Sequence, residues 1–306
     1  MSALRGHVQD YLRLRRALGF RMERAEKLLA EFCSCAEAAG AETVTSALAI
    51  SWARQRAGTK PAYWAWRLGM VRQFAAWLKA LDPAAEIPPP GVFPARRTRP
   101  APYLWTEDQV RDLLEGARAL RPPLLAASLE ALFGLLAVTG MRVGEAAALQ
   151  RADVGLDTGV ITIRQAKNDR DRLVPLHPTA TWALRQYAAD RDRLCPRPRS
   201  GAFFLSSAGT ALDPGGVGKP FRAITTAAGI RTGTARPRIH DLRHSFAVRT
   251  LTSWARAGKS ADENIALLSA YLGHVSPADT YSYLSATPEL MQIAAQRLGT
   301  RPGGPR

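Results

Sequence analysis

The chain is short of several things, and each shortage removes a class of protein. Only three of its 306 residues are cysteines, Cys33, Cys35 and Cys195. An odd number with no C-x-x-C pair supplies neither a disulfide framework nor a zinc knuckle. No apolar run approaches the length of a bilayer span, and the opening residues MSALRGHVQDYLRLRR lack the apolar stretch of a signal peptide. A soluble cytoplasmic protein with no membrane partner is therefore expected. No internal repeat or low-complexity domain is present. Acidic residues are scarce beside basic ones, 26 against 42, which gives a formal net charge of +16 and a pI of about 10.6. Arginine supplies most of the excess, and its planar fork matches phosphate oxygens. The balance suggests a polyanion partner, with nucleic acid the first candidate. A genome rich in G and C, which favours Arg and Ala codons, would leave the same composition.

Two motifs fall short as well. PGGVGKP resembles a phosphate loop, but Asp213 stands at the first glycine position and Pro220 replaces the Ser or Thr that would hold magnesium. His240 and His244 have the i, i+4 spacing of two zinc ligands, yet no Glu follows His240 and no third ligand is evident. No cofactor and no metal are expected.

What is present divides the chain. Residues 82–103 hold seven of the 21 prolines and the basic run Arg96, Arg97 and Arg99. Proline removes donors and stiffens the backbone, so 83–103 is read as an extended linker between residues 1–82 and 104–300. The tail 301–306, RPGGPR, is expected to be disordered. Residues 1–90 carry 13 Lys+Arg against 8 Asp+Glu and the remainder 29 against 18, so both parts are basic and both could touch one polyanion. The first part is read as four helices, with apolar spacing in VQDYLRLRRALGF and MERAEKLLAEFCSCAEAAG, a third segment near 47–55, and PAYWAWRLGMVRQFAAWLKAL. In the last of these, Trp64, Trp66 and Trp77 read as core, and the arginines between them, Arg67 and Arg72, as phosphate contacts. Arg249 is a further candidate. The second part is mixed α/β. A long apolar helix stops at Gly140, a hairpin follows in GVITIRQAKNDRDRLVPLH with strands at 160–164 and 172–176, and HPTATWALRQYAADRDRL returns to helix. The fold expected is mostly α with a small β-sheet.

Several residues could carry chemistry, each with a plainer alternative. Arg142 opens a helix just past Gly140, with Val143, Ala146, Ala147 and Leu149 on its apolar side. An arginine so placed needs an anion or a hydrogen-bonded partner, and Glu145 could be that partner. His240 and Arg243 lie at i, i+3 on one helical face, although a capped helix with a surface arginine reads the same way. Lys167, near the hairpin tip, would usually be only solvated. Ser276-Pro277-Ala278-Asp279 starts a helix, and His274 lies just before its cap, where backbone N–H groups favour an anion. Tyr281 and Tyr283 then differ by about 200° around that helix, so they cannot both face one site. Taken alone they are packing residues. Together, two arginines, two histidines, a lysine and a tyrosine form a phosphoryl-transfer set without metal. Guanidiniums would neutralise the non-bridging oxygens, and a phenol of pKa about 10 would need a proton acceptor.

The segments TGMRVGEAAAL, AKNDRDRLVPL, HDLRHSFA and LGHVSPADTYSY, in that order, resemble the tyrosine recombinases, or phage-type integrases. The likeness covers nearly the whole chain, and HDLRHSFA followed by LGH and a tyrosine nine residues on is its most specific part. It implies a helical core-binding domain before a mixed α/β catalytic domain. It also makes Arg142, Lys167, His240, Arg243 and His274 catalytic and Tyr283 the nucleophile, with Tyr281 as packing and His244 as structural. Where many members have a histidine two residues after the tyrosine, this chain has Ser285. The resemblance further implies double-stranded DNA sites as partners, a homo-tetramer on DNA joined through the helix after Tyr283, and room for an accessory protein or a second recombinase. A type IB topoisomerase-like enzyme and a silent DNA-binding accessory factor are the alternatives.

Overall fold

The computed structural model describes residues 2–55, 58–94, 102–166, 170–259 and 261–273, with every side chain among them except those of 165, 166, 170 and 261–263. The chain forms two compact units, the first ending at Pro100 and the second beginning at Ala101. No helix among the described residues is long and apolar enough to cross a membrane.

The first unit has four helices, α1 (Ala3–Ala17), α2 (Glu23–Ala38), α3 (Ser46–Arg54) and α4 (Pro61–Leu78). Local chemistry sets their starts. The Ser2 hydroxyl accepts from the Arg5 amide, the Thr45 hydroxyl accepts from the Leu48 amide, and Pro61 takes the first turn of α4, where its missing N–H costs nothing. Each helix then buries one stripe, as Leu4, Val8, Tyr11 and Leu12 show for α1. Rings lock the stripes together: Tyr11 meets Phe74 at 5.6 Å and Phe32 meets Trp52 at 5.4 Å between centroids. Residues 83–94, expected to run as linker, begin against this core. Ala85 and Phe93 are buried in it, Phe93 packs on Trp64 at 5.7 Å, and the Glu86 amide donates to the Val44 carbonyl. The apolar side chains among the prolines explain this, because a free linker would have left them in water.

Arg67 corrects another expectation. It is 2 % exposed, its guanidinium lies 3.9 Å above the Trp52 ring, and Glu31 is 3.6 Å away. It belongs to the core and is not a phosphate contact. Arg72, five residues on, is exposed as expected, and Trp64 and Trp77 are half-buried while Trp66, expected in the core, stays at the surface.

The second unit is built around α6 (Pro123–Thr139), whose buried residues Leu129, Leu132, Phe133 and Leu136 face a single core. Burying a side chain such as Phe133 in full contributes roughly 1.5–3 kcal/mol. Among the helices packed on it are α5 (Glu107–Arg118), started by a Thr106–Gln109 capping box, and α8 (Pro178–Leu194). Between them in the chain come the short α7 (Val143–Ala147) and a three-stranded antiparallel sheet of β1 (Val154–Gly155), β2 (Val160–Ala166) and β3 (Arg170–Pro175). The expected hairpin is β2–β3, with Ile161 opposite Val174 and Ile163 opposite Arg172. The two-residue β1 is too short to leave a pattern in the sequence. Then follow α9 (Gly218–Ala227), α10 (Ile239–Arg256) and α11 (Ala261–Leu272). The fold is thus mostly helical with one small sheet.

Candidate functional site

The site forms where the C-terminal end of α6, the start of α7, the start of α10, the end of α11 and strand β3 meet. Gly140 makes the first bend. It ends α6 at φ +63°, and a Cβ there would fall 2.6 Å from Phe246 Cδ1 and 3.0 Å from Leu272 Cδ2, so only glycine fits. The bend sets Arg142 just ahead of α7, whose Ala146 and Ala147 are buried, as is Leu149, while Val143 is half-buried.

Arg142 has the partner that its spacing suggested. Its Nη1 donates to Glu145 Oε1 at 2.7 Å, its own amide donates to Glu145 Oε2 at 3.0 Å, and its Nη2 reaches the Gly273 carbonyl at 3.1 Å. The side chain nonetheless keeps 39 % of its surface exposed. Glu145 is also held from β3, where Arg172 Nη2 donates to Oε2 at 3.0 Å. Burial opposes ionisation of this carboxyl, but the Arg142 amide, the charge of Arg172 and the Arg142 guanidinium outweigh it and hold it below the usual range.

Arg243 lies one turn into α10 and is 2 % exposed. Its Nη1 donates to the Gly140 carbonyl at 2.8 Å and its Nη2 to the Leu272 carbonyl at 2.9 Å. Arg142 and Arg243 therefore hold consecutive carbonyls, 273 and 272, at the end of α11. The reading of Arg243 as a surface arginine does not hold. His240, on the same face, keeps an open edge but sits in a crowded setting, its ring 4.8 Å from that of His244. Desolvation, then His244, Arg243 and Arg142, push its pKa down to about 4 against the opposing pull of Asp241, so the ring is neutral at pH 7.

The start of α10 is fixed by residues that motif reading passed over. Asp241 accepts from the Arg238 amide at 2.8 Å and from its guanidinium at 2.7 Å. Ser245 accepts from the Trp105 amide at 2.9 Å and so ties α10 to the approach of α5. Arg249, expected to touch DNA, donates to the Ala137 carbonyl of α6 at 2.9 Å. Among the described residues no three His, Cys, Asp or Glu side chains gather as a metal would require. Lys167, His274, Tyr281 and Tyr283 lie outside the described residues, as do Arg96, Arg97, Arg99, Ser285 and the tail. Arg142, His240 and Arg243 are brought together, and His274 follows Gly273 directly in sequence.

Guanidiniums gathered where four helix ends meet suit the binding of a phosphate anion. The comparisons with known proteins identify the family. The model of the Phage integrase family matches residues 104–289. The "Putative integrase/recombinase y4rB" of Sinorhizobium fredii is 40 % identical over 98 % of this chain and 98 % of its own length. A tyrosine recombinase XerC of Mycobacterium sp. (strain KMS) is 31 % identical over 77 % of this chain and 75 % of its own. Among solved structures, the Tn1549 transposon integrase in complex with transposon right end DNA shares the fold at a TM-score of 0.67 and 17 % identity, covering 96 % of this chain and 99 % of that one. The chain belongs to the phage integrase family, the tyrosine recombinases.

Proposed function

We propose that the protein is a site-specific DNA recombinase that cuts and rejoins duplex DNA through a 3′-phosphotyrosine, without metal or ATP. The observation that carries this reading is the convergence of Arg142 and Arg243 on the Leu272 and Gly273 carbonyls, directly before His274. Those carbonyls are neutral acceptors. The oxygens of a scissile phosphate, being charged, make stronger bonds to the same guanidiniums and would take their place. Family membership and DNA-bound structural neighbours, the Tn1549 integrase and a XerH recombinase bound to its difH substrate, support DNA as the partner.

In this reading the Tyr283 phenol oxygen attacks phosphorus as its proton passes to neutral His240. The bond from phosphorus to the 5′-oxygen breaks, and that oxygen leaves with a proton from Lys167 as a free 5′-hydroxyl. Arg142, Arg243 and His274 stabilise the charge on the non-bridging oxygens, with about 10²–10³ in rate at stake for each such donor. The phosphotyrosine keeps the energy of the broken diester, so the 5′-hydroxyl of a partner strand can reverse the steps. Exchange between two DNA sites needs four active sites, hence a tetramer on DNA. The first unit, with Arg72 on its surface, acts as the core-binding half of a DNA clamp, and the helix expected after Tyr283 joins neighbouring copies. The protein acts on DNA in the cytoplasm.

The test is covalent trapping. Duplexes from the DNA flanking the gene, nicked so that the 5′-hydroxyl fragment diffuses away, are incubated with chelator and with wild type, Tyr283→Phe or Tyr281→Phe. An adduct that survives denaturation and disappears only in Tyr283→Phe supports the reading. Loss in Tyr281→Phe alone moves the nucleophile. Tight binding with no adduct from wild type sinks the enzyme reading, and relaxed circles without exchanged segments would make the protein a topoisomerase.

A further inference from the structure

Arg172 stands where a strand of this sheet should carry an apolar side chain. Side chains alternate along β3, and Leu173 is 64 % exposed while Val174 is 1 % exposed. Arg172 therefore shares the inner face with Val174, and opposite it on β2 is Ile163, buried at 4 %. The arginine side chain is only 10 % exposed. Its Nη2 donates to Glu145, and its Nε and Nη1 are buried with no hydrogen-bond acceptor among the described residues. A buried donor left without an acceptor destabilises the fold, and an apolar residue would fill the position without that cost. The guanidinium also lies directly against Gly273, where any Cβ would overlap Nη1. Tyr271 is close enough for its phenol to respond to the Arg172 charge, although burial dominates there and raises its pKa.

We propose that Arg172 is a positioning residue of the strand-cleavage site: it draws Glu145 away from full neutralisation of Arg142 and braces the Leu272–Gly273 turn from below. The geometry is direct. Glu145 is one carboxylate serving two guanidiniums, so the group of three keeps a net positive charge. Without Arg172, the Arg142–Glu145 pair would be neutral and a phosphate would find little attraction at Arg142. Gly273 is held from two sides, by Arg142 at its carbonyl and by Arg172 beneath its α-carbon, in the residue before His274. The chain of support runs from the β2–β3 hairpin to the arginine pocket.

This inference rests on the recombinase reading for its catalytic consequence but not for its electrostatic one, and the experiment separates the two. Glutamate carboxyl carbons are labelled and followed by NMR through a pH titration, with the Glu145 signal assigned from Glu145→Gln. In Arg172→Gln the Glu145 carboxyl is expected to titrate about one unit or more higher than in wild type, and Arg172→Lys, which keeps the charge, to restore most of the difference. Adduct formation on nicked duplex is expected to fall about 100-fold in Arg172→Gln, with Kd for the same DNA within about threefold, and to recover in part with lysine. An unchanged Glu145 titration in a folded Arg172→Gln overturns the proposal. So does a loss of adduct that lysine does not relieve. If Arg172→Gln does not fold, Arg172→Met, which suits the inner face of the sheet, is measured in its place with the same two outcomes. If wild type forms no adduct at all, the recombinase reading fails and the titration alone decides the role of Arg172.

Discussion

Arg67 in the first unit and Arg243 in the second are each 2 % exposed, yet their surroundings differ in kind. Arg67 lies over the Trp52 ring at 3.9 Å, with Glu31 at 3.6 Å, inside a core of Leu68, Val71 and Phe74. Arg243 points at the carbonyls of Gly140 and Leu272, where three chain segments end, beside the half-exposed Arg142. The first arginine meets an aromatic face and a carboxylate within a helical bundle. The second meets neutral acceptors that a better anion can replace. Burial of a cation is therefore no sign of a site by itself. What marks one is the nature of the groups around it and a route by which an anion can reach the pocket, which Arg142 provides.

The largest expected effect breaks this comparison most directly. In the proposed reaction Arg243→Gln should lower the rate of covalent adduct formation by about 10²–10³, because a charged donor to the transition state would be lost. Arg67→Met should leave that rate within about twofold at temperatures where the protein is folded, and should cost stability instead. The lost cation–π contact and ion pair are together worth about 1–2 kcal/mol. Single-turnover cleavage and thermal denaturation, run on both variants, read the two quantities. If Arg67→Met lost cleavage at unchanged Tm, the first unit would hold a reactive residue and the contrast would be wrong.

That contrast was only half legible in the sequence. Helical spacing and the stop at Gly140 gave the main helices, because these signals act within a turn or two of the chain; the caps at Thr45 and Thr106 are equally local and went unread. Glu145 was legible as the partner of Arg142 for the same reason, being three residues away. Arg67 was not, because its ring partner Trp52 sits on another helix and no local pattern links them. The prolines of residues 83–103 read as linker, although Ala85 and Phe93 carry an apolar signal that the core absorbs. Arg172 could have been found: R-L-V in a strand puts the arginine and the valine on one face, and a valine on the inner face makes the arginine an intruder.

A smaller effect sharpens the comparison at two glycines with nearly the same backbone. Gly40 ends α2 at φ +65° with nothing within 4 Å of a built Cβ, and Gly140 ends α6 at φ +63° against Phe246 and Leu272. Alanine at position 40 should cost about 1–2 kcal/mol, the penalty of left-handed backbone alone. Alanine at 140 should add an overpacking cost of about 1–3 kcal/mol. It should also slow cleavage, because Gly140 gives its carbonyl to Arg243 and Leu272 gives the other. Equal losses of stability in urea, with cleavage intact in both, would show that the second unit absorbs the clash without disturbing its arginines.

The smallest effect concerns protons. The His240 pKa lies near 4 in the folded protein, and an unfolded histidine titrates near 6.5. The folded state thus binds fewer protons than the unfolded state between these values. Its contribution to stability is complete above about pH 6.5, declines as the pH falls toward 4 and changes no further below that. Cleavage that uses neutral His240 as proton acceptor should accordingly keep its rate down to about pH 5, with the acid limb of the profile centred nearer 4 than 6.5. His244→Gln removes the second cause of the depression, after burial, and should shift that limb upward by less than about one unit. The profile is read from single-turnover adduct formation between pH 4 and 8, with circular dichroism at each pH to show that the fold persists. An acid limb centred at 6.5 in wild type would mean that His240 is open to water and free of its cationic neighbours. The crowding of charge that separates the second unit from the first would then not extend to His240, the proposed proton acceptor.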